Sequence, residues 1–172
     1  MKTPVLFALL SFAQILLVAF LPFASAGLVD DTCKKTPYSH FCVSALRSDR
    51  RSSTADTPTL GLIMVDKVDA NAKSSLAKIK DLLGKAPHPG TKRALTSCRE
   101  SYQATRSAFV PSSKESLTKG DYKFAVEYMN SAASDASDCE AGFGGSKSPL
   151  SDLNNYEHKA ASVASAIASS LL

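Results

Sequence analysis

Three histidines (His40, His88, His158) and four cysteines (Cys33, Cys42, Cys98, Cys139) are the side chains of this sequence best suited to covalent or metal chemistry. Nucleophilic hydrolysis needs a nucleophile, a base beside it and a group that orients the base, and none of the histidines lies in a recognised catalytic motif. A zinc site needs closely spaced Cys or His ligands; there is no Cys-x-x-Cys pair, and His40, two residues before Cys42, has no further spaced partners. The acidic pairs Asp30-Asp31 and Asp135-Asp138 fall near helix ends or on helix surfaces, where solvation and the helix dipole account for them better than acid-base catalysis. Gly142-Phe143-Gly144-Gly145 lacks the following Lys-Ser/Thr of a phosphate loop, and the Gly-Ser-Lys-Ser run after it is expected to lead into Pro149 at the start of a helix. The balance points to a binding protein rather than an enzyme, with no metal and no cofactor expected.

The cysteines carry structural information instead. Residues 1–26 combine Lys2, an apolar run from Val5 to Phe23 and a closing Ala24-Ser25-Ala26, the pattern of a cleaved secretory signal; a membrane anchor is the competing reading of the same run. Removing Lys2 leaves 19 basic against 16 acidic residues, a net charge of +3. Apart from Arg47, Arg50 and Arg51, the basic residues are interspersed with acids, which argues against a nucleic-acid partner. An even number of cysteines in a secreted chain implies two disulfides. Three pairings exist on paper; the simplest joins Cys33 to Cys42 across the Thr36-Pro37 turn and leaves Cys98 to Cys139, closing a loop worth about 4 kcal/mol in the chain-entropy view.

Four long apolar stripes at three-four spacing must position whatever site exists. The first runs over Ser53 to Gly84 through Leu60, Met64, Val68, Ala72, Leu76, Ile79 and Leu83. A Lys-Ala-Pro-His-Pro-Gly turn follows, with Thr91 as the expected cap of a second helix, Lys92 to Phe109, through Leu95, Cys98 and Tyr102. Pro111 predicts a kink or break there, and Leu117 closes the segment. After Thr118-Lys119-Gly120, Asp121 is the expected cap of a third helix to Ala141, with a small, alanine-rich core face through Tyr122, Val126, Met129, Ala133 and Ala136. The last stripe runs through Leu150, Leu153, Tyr156, Ala160, Val163, Ile167 and Leu171. No period-two pattern supports strands. The fold class is therefore all-α, an up-down-up-down four-helix bundle over 53–172, preceded by a disulfide-bridged helical hairpin over 27–51 in which Thr36-Pro37 caps the second short helix.

Asp31-Thr32-Cys33, Thr36-Pro37-Tyr38, Phe41-Cys42, Cys98 with Tyr102, and Asp138-Cys139-Glu140 together resemble the plant invertase inhibitor and pectin methylesterase inhibitor family over essentially the whole chain after residue 26. Ser148-Pro149-Leu150-Ser151 with Leu153-Asn154 resembles the invertase-inhibitor branch, and Ser53-Thr54-Ala55-Asp56 with Leu60-Gly61-Leu62-Ile63 resembles a pollen-type branch known mainly through allergens. The resemblance implies the same hairpin and bundle, the bridges Cys33–Cys42 and Cys98–Cys139, and a secreted protein of the cell wall or vacuole. It implies an inhibitor forming a one-to-one complex with an acid invertase, free of the membrane after signal cleavage.

In the invertase inhibitors of that family a Pro-Lys-Phe motif after Gly-Asp enters the enzyme's sugar pocket. The matching residues here are Gly120, Asp121, Tyr122, Lys123 and Phe124. The resemblance implies target binding by Asp121, Tyr122, Lys123 and Phe124: an ammonium group suits a pocket built on a carboxylate pair, and a ring adds apolar anchoring. Tyr122 stands where the motif has proline, so the backbone is not locked by a ring at that residue. Two alternatives remain. One is inhibition of pectin methylesterase through the bundle's helix surfaces; the other is a pollen allergen of this family without inhibitory activity.

Overall fold

The computed structural model describes residues 27–85, 87–145 and 147–172; the signal segment expected over 1–26 lies outside them. A short helix α1 (27–33) and α2 (Ser39–Arg47) form the hairpin. They are closed by Cys33–Cys42, with Cα atoms 5.5 Å apart and both cysteines fully buried. Thr36 does not cap α2: its hydroxyl donates back to the Cys33 carbonyl, and α2 starts two residues after Pro37, with Tyr38 at the cap position. Arg47 at the end of α2 clamps both carboxylate oxygens of Asp30 at 2.9 Å, fixing the two arms of the hairpin.

A 3-10 turn (Arg50–Ser53) leads into α3 (Thr57–Gly84). The helix starts four residues later than the stripe suggested because Asp56 is the better cap: its carboxylate accepts from the Thr59 N–H at 2.9 Å and Pro58 occupies the first turn. The next helix, α4 (Pro89–Ala104), starts earlier than the expected Thr91 cap. Proline in a first turn sacrifices no hydrogen bond and presets φ, so Pro89 opens the helix rather than excluding it. Pro111 does not break it either. A single wide turn of π-helix (Thr105–Phe109), in which the Val110 N–H bonds five residues back to the Thr105 carbonyl, absorbs the missing donor, and α5 (Val110–Lys119) continues the rod. Helices α6 (Tyr122–Ala141) and α7 (Ser151–Ser169) complete the bundle. Pro149 lies in the turn before α7, not in its first turn.

The four rods α3, α4–α5, α6 and α7 run up-down-up-down, and among the described residues there is no strand. Alanines at 125, 132, 133, 136, 160, 161, 164 and 168 are buried and let α6 and α7 pack closely along their length. Gly61 serves the same end on α3: a Cβ there would lie 3.3 Å from Leu117 and 3.5 Å from Ile167. One core cluster, through Leu60, Met64, Val68, Met129 and Ile167, also takes in Val29, Cys33 and Leu46 of the hairpin. A second, through Ala72, Ile79, Leu95, Tyr102 and Leu150, surrounds Cys98–Cys139, whose Cα atoms are 4.9 Å apart. The hairpin is pinned to α7 by the Phe41 ring edge-on to Tyr156 at 5.1 Å and by a Tyr38–His158 hydrogen bond at 3.1 Å.

Candidate target-binding turn

A left-handed glycine and the hydrogen bonds on either side of it set where α5 ends and α6 begins. Lys119 closes α5, its ammonium paired with Glu115 at 2.5 Å, and Gly120 follows at φ 82°, ψ 11°, left-handed backbone that only glycine adopts without strain. The Asp121 N–H then returns to the Ser116 carbonyl at 2.9 Å, a six-to-one bond that winds the chain tightly at the helix end. The Asp121 carbonyl accepts from the Phe124 N–H at 3.0 Å, so α6 begins at once. Asp121 occupies the cap position as expected, yet its exposed side chain makes no capping bond. The connection is two residues long and Lys123 and Phe124 belong to the first turn of a helix, not to a mobile loop.

Successive helical residues diverge by about 100°, and the three side chains accordingly part company. Tyr122 turns inward, half-buried against the hairpin-side core. Lys123 is exposed and, among the described residues, makes neither an ion pair nor a hydrogen bond. Phe124 is 52% exposed; besides the terminal Leu172 it is the one large apolar side chain so exposed among the described residues. Tyr122 is also the first residue of α6, where a proline would fit without losing an intrahelical bond. The departure from the Pro-Lys-Phe pattern therefore falls at a helix position that tolerates proline, after an Asp121 whose ψ of 53° lies short of the extended backbone that a following proline favours.

A concavity of about 560 Å³ lies between α6 and α7 and is lined by residues that include Ser137, Glu140, Ser151, Asp152, Asn154 and His158. Its floor is a hydrogen-bonded chain. The Tyr102 hydroxyl donates to Asn154 Oδ1 at 2.7 Å, Asn154 Nδ2 donates to Glu140 Oε2 at 2.7 Å, and the Ser151 hydroxyl donates to Glu140 Oε1 at 2.5 Å. Burial would raise the Glu140 pKa, but these donors outweigh it and hold the carboxyl below its usual range. Burial pushes the Tyr102 phenol well up, so it remains a donor.

His158 at the rim has the look of a catalytic base, since Ser137 Oγ is 3.0 Å from its Nδ1. The same nitrogen lies 3.1 Å from the Ala133 carbonyl, which can only accept; Nδ1 thus carries the proton and cannot activate the serine. Nε2 faces the Tyr38 hydroxyl rather than a carboxylate, and the Ser137 hydroxyl donates to the Ala133 carbonyl at 3.1 Å. The pair fastens the hairpin. The arginines follow suit: Arg51 pairs with Asp49 at 2.8 Å and Asp66 at 2.7 Å, and Arg47 with Asp30. Among the described residues no cluster of three His, Cys, Asp or Glu could hold a metal, and no helix is long and apolar enough to cross a membrane.

The described residues form a disulfide-stapled four-helix bundle with a helical hairpin packed on it and a rigid, exposed turn at one end. The chain belongs to the family described as plant invertase/pectin methylesterase inhibitor, whose profile matches residues 27–167. It is 40% identical over 144 residues, 84% of this chain and 69% of the relative, to the cell wall/vacuolar inhibitor of fructosidase 1 of Arabidopsis thaliana. It is 32% identical over 136 residues, 79% of this chain and 73% of the relative, to the pectinesterase inhibitor of Actinidia deliciosa. The fold matches the crystal structure of a mutant pectin methylesterase inhibitor from Arabidopsis with a TM-score of 0.70 at 21% identity, over 80% of this chain and 92% of that one.

Proposed function

We propose that the protein is a secreted inhibitor of an acid invertase, and that Lys123 and Phe124, set by the Gly120–Asp121 turn, enter the enzyme's active-site pocket in a one-to-one complex in the cell wall or vacuole. The observation that carries this reading is the pairing, on one rigid helix start, of the most exposed phenylalanine among the described residues with a lysine ammonium that makes no ion pair or hydrogen bond among them. A pocket that handles sugars with a carboxylate pair offers that ammonium charge-assisted hydrogen bonds, which strengthen as the ring excludes water from around them. Because the turn is already wound, little ordering entropy opposes docking. The 40% identical relative named as an inhibitor of fructosidase supports the choice of target.

The α6–α7 concavity favours a second target, pectin methylesterase, since it offers a polar helix face independent of the turn and a 32% identical relative is named pectinesterase inhibitor. Titration of both enzymes with the purified protein separates the two. Loss of sucrose hydrolysis that is reversed by Lys123→Ala supports the invertase reading; inhibition of pectin methylesterase alone, insensitive to Lys123→Ala, transfers the function to the helix face.

A further inference from the structure

The seam between α3 and α7 contains a carboxyl group that nothing above requires. Glu157 is fully buried (0% exposed) in the middle of α7. Its Oε2 accepts from Asn71 Nδ2 at 2.7 Å, and the same amide also donates to the Leu153 carbonyl at 3.0 Å, which uses both of its hydrogens. Glu157 Oε1 is buried with no hydrogen-bond partner. We propose that Glu157 is a proton-operated lock on this seam: the bundle closes around the neutral acid, and loss of that proton loosens α7 from α3.

The surroundings leave an ionised Glu157 no counter-charge. From α3 the facing ionisable group is Asp69, a like charge already paired with Arg106 of the π-turn at 2.9 Å. From α4 comes the Tyr102 hydroxyl, which donates to Asn154 instead. Glu140 of α6, on the far side of Tyr102 and Asn154, is another carboxylate and is held by Ser151 and Asn154. On α7 itself, Tyr156 packs against Phe41, His158 is held by Ala133 and Tyr38, and Lys159 lies over the Tyr38 ring at 5.8 Å. A carboxylate would thus face one donor where its two oxygens can accept about four hydrogen bonds. A neutral oxygen without a partner is a far smaller penalty than an uncompensated buried charge.

The direction of the pH effect follows. Burial, reinforced by Asp69 and opposed by Asn71, pushes the folded-state pKa of Glu157 up to about 8 from 4.5. Between those values the folded protein keeps a proton that the unfolded chain has released. The contribution of this group is therefore fully present below pH 4.5, declines as pH rises through the window, and falls no further above about 8. The lock is shut in an acidic compartment and weakened in a neutral one.

Thermal melts of the natural protein and of Glu157→Gln between pH 4.5 and 8 test this. The amide preserves the shape and cannot ionise. The natural protein is expected to lose about 5 °C or more of melting temperature across the window beyond whatever the variant loses, with the variant the more stable of the two at the upper end. Parallel profiles overturn the proposal. Should the variant fail to fold, infrared spectroscopy of the natural protein decides: a protonated-carboxyl band that survives near-neutral pH and disappears around the upper end of the window supports the lock, and its absence near neutrality overturns it.

Discussion

Tyr102 and Lys123 both carry a hydrogen-bonding group at the end of a long side chain on a bundle helix, yet their situations are opposite. The Tyr102 hydroxyl is buried and its partner Asn154 is itself committed to Glu140, which is committed to Ser151. Lys123, on the first turn of α6, is exposed and commits to nothing among the described residues. The buried chain shows what the fold needs: polar groups inside a helical bundle are tolerated when each finds a partner, and they then fix the register of α4, α6 and α7. The turn shows what the fold leaves over, a charge and a ring placed with the same precision but without internal partners.

Several substitutions can break this contrast. The largest effect is expected at Cys98–Cys139, which closes a 41-residue loop beside the buried chain. Replacing both cysteines by serine should lower stability by about 4 kcal/mol in denaturant titration. Next is Tyr102→Phe, which leaves Asn154 Oδ1 buried without its donor and should cost about 1–3 kcal/mol by the same measurement. Gly120→Ala forces a side chain into backbone at φ 82° and should cost about 1–2 kcal/mol, although a Cβ there meets no neighbouring atom. Tyr122→Pro sharpens the comparison from the other side. The first helical position accepts proline, so the loss should come from the packing of the ring and from opening Asp121 beyond its ψ of 53°, about 1–2 kcal/mol in all, while any inhibitory activity is retained.

Much of this was legible in the sequence. Three-four spacing located the four rods, and cysteine count and spacing favoured the pairing found. The errors were confined to helix ends and prolines. Thr91 and Thr36 are good capping residues on propensity, but Pro89 opens α4 ahead of Thr91 and the Thr36 hydroxyl is engaged by Cys33. The kink or break expected at Pro111 takes the form of a π-turn just before it, through which the helix continues into α5. Of the candidate site residues, Gly120 through Phe124 lie together by virtue of sequence alone, and the stripe that begins at Tyr122 and runs to Ala136 places Tyr122 on the core side, as the structure has it, while the exposure of Phe124 runs against the default for an aromatic ring. Glu157 escaped notice for a related reason: it neighbours Tyr156, which was assigned to the stripe, and a glutamate is placed outside by default unless its partner Asn71, 86 residues away in the chain, is seen beside it.

The central proposal is that Lys123 and Phe124 are surplus to the fold and reserved for a partner. Titrating an acid invertase at mildly acidic pH with the natural protein and with Lys123→Ala tests it most directly. The account predicts a melting temperature for the variant unchanged to within about 0.5 kcal/mol of stability, together with inhibition weakened about 30-fold or more, the range of an interface hot spot. Equal inhibition by the two proteins, or a variant that loses inhibition only because it unfolds, would contradict it.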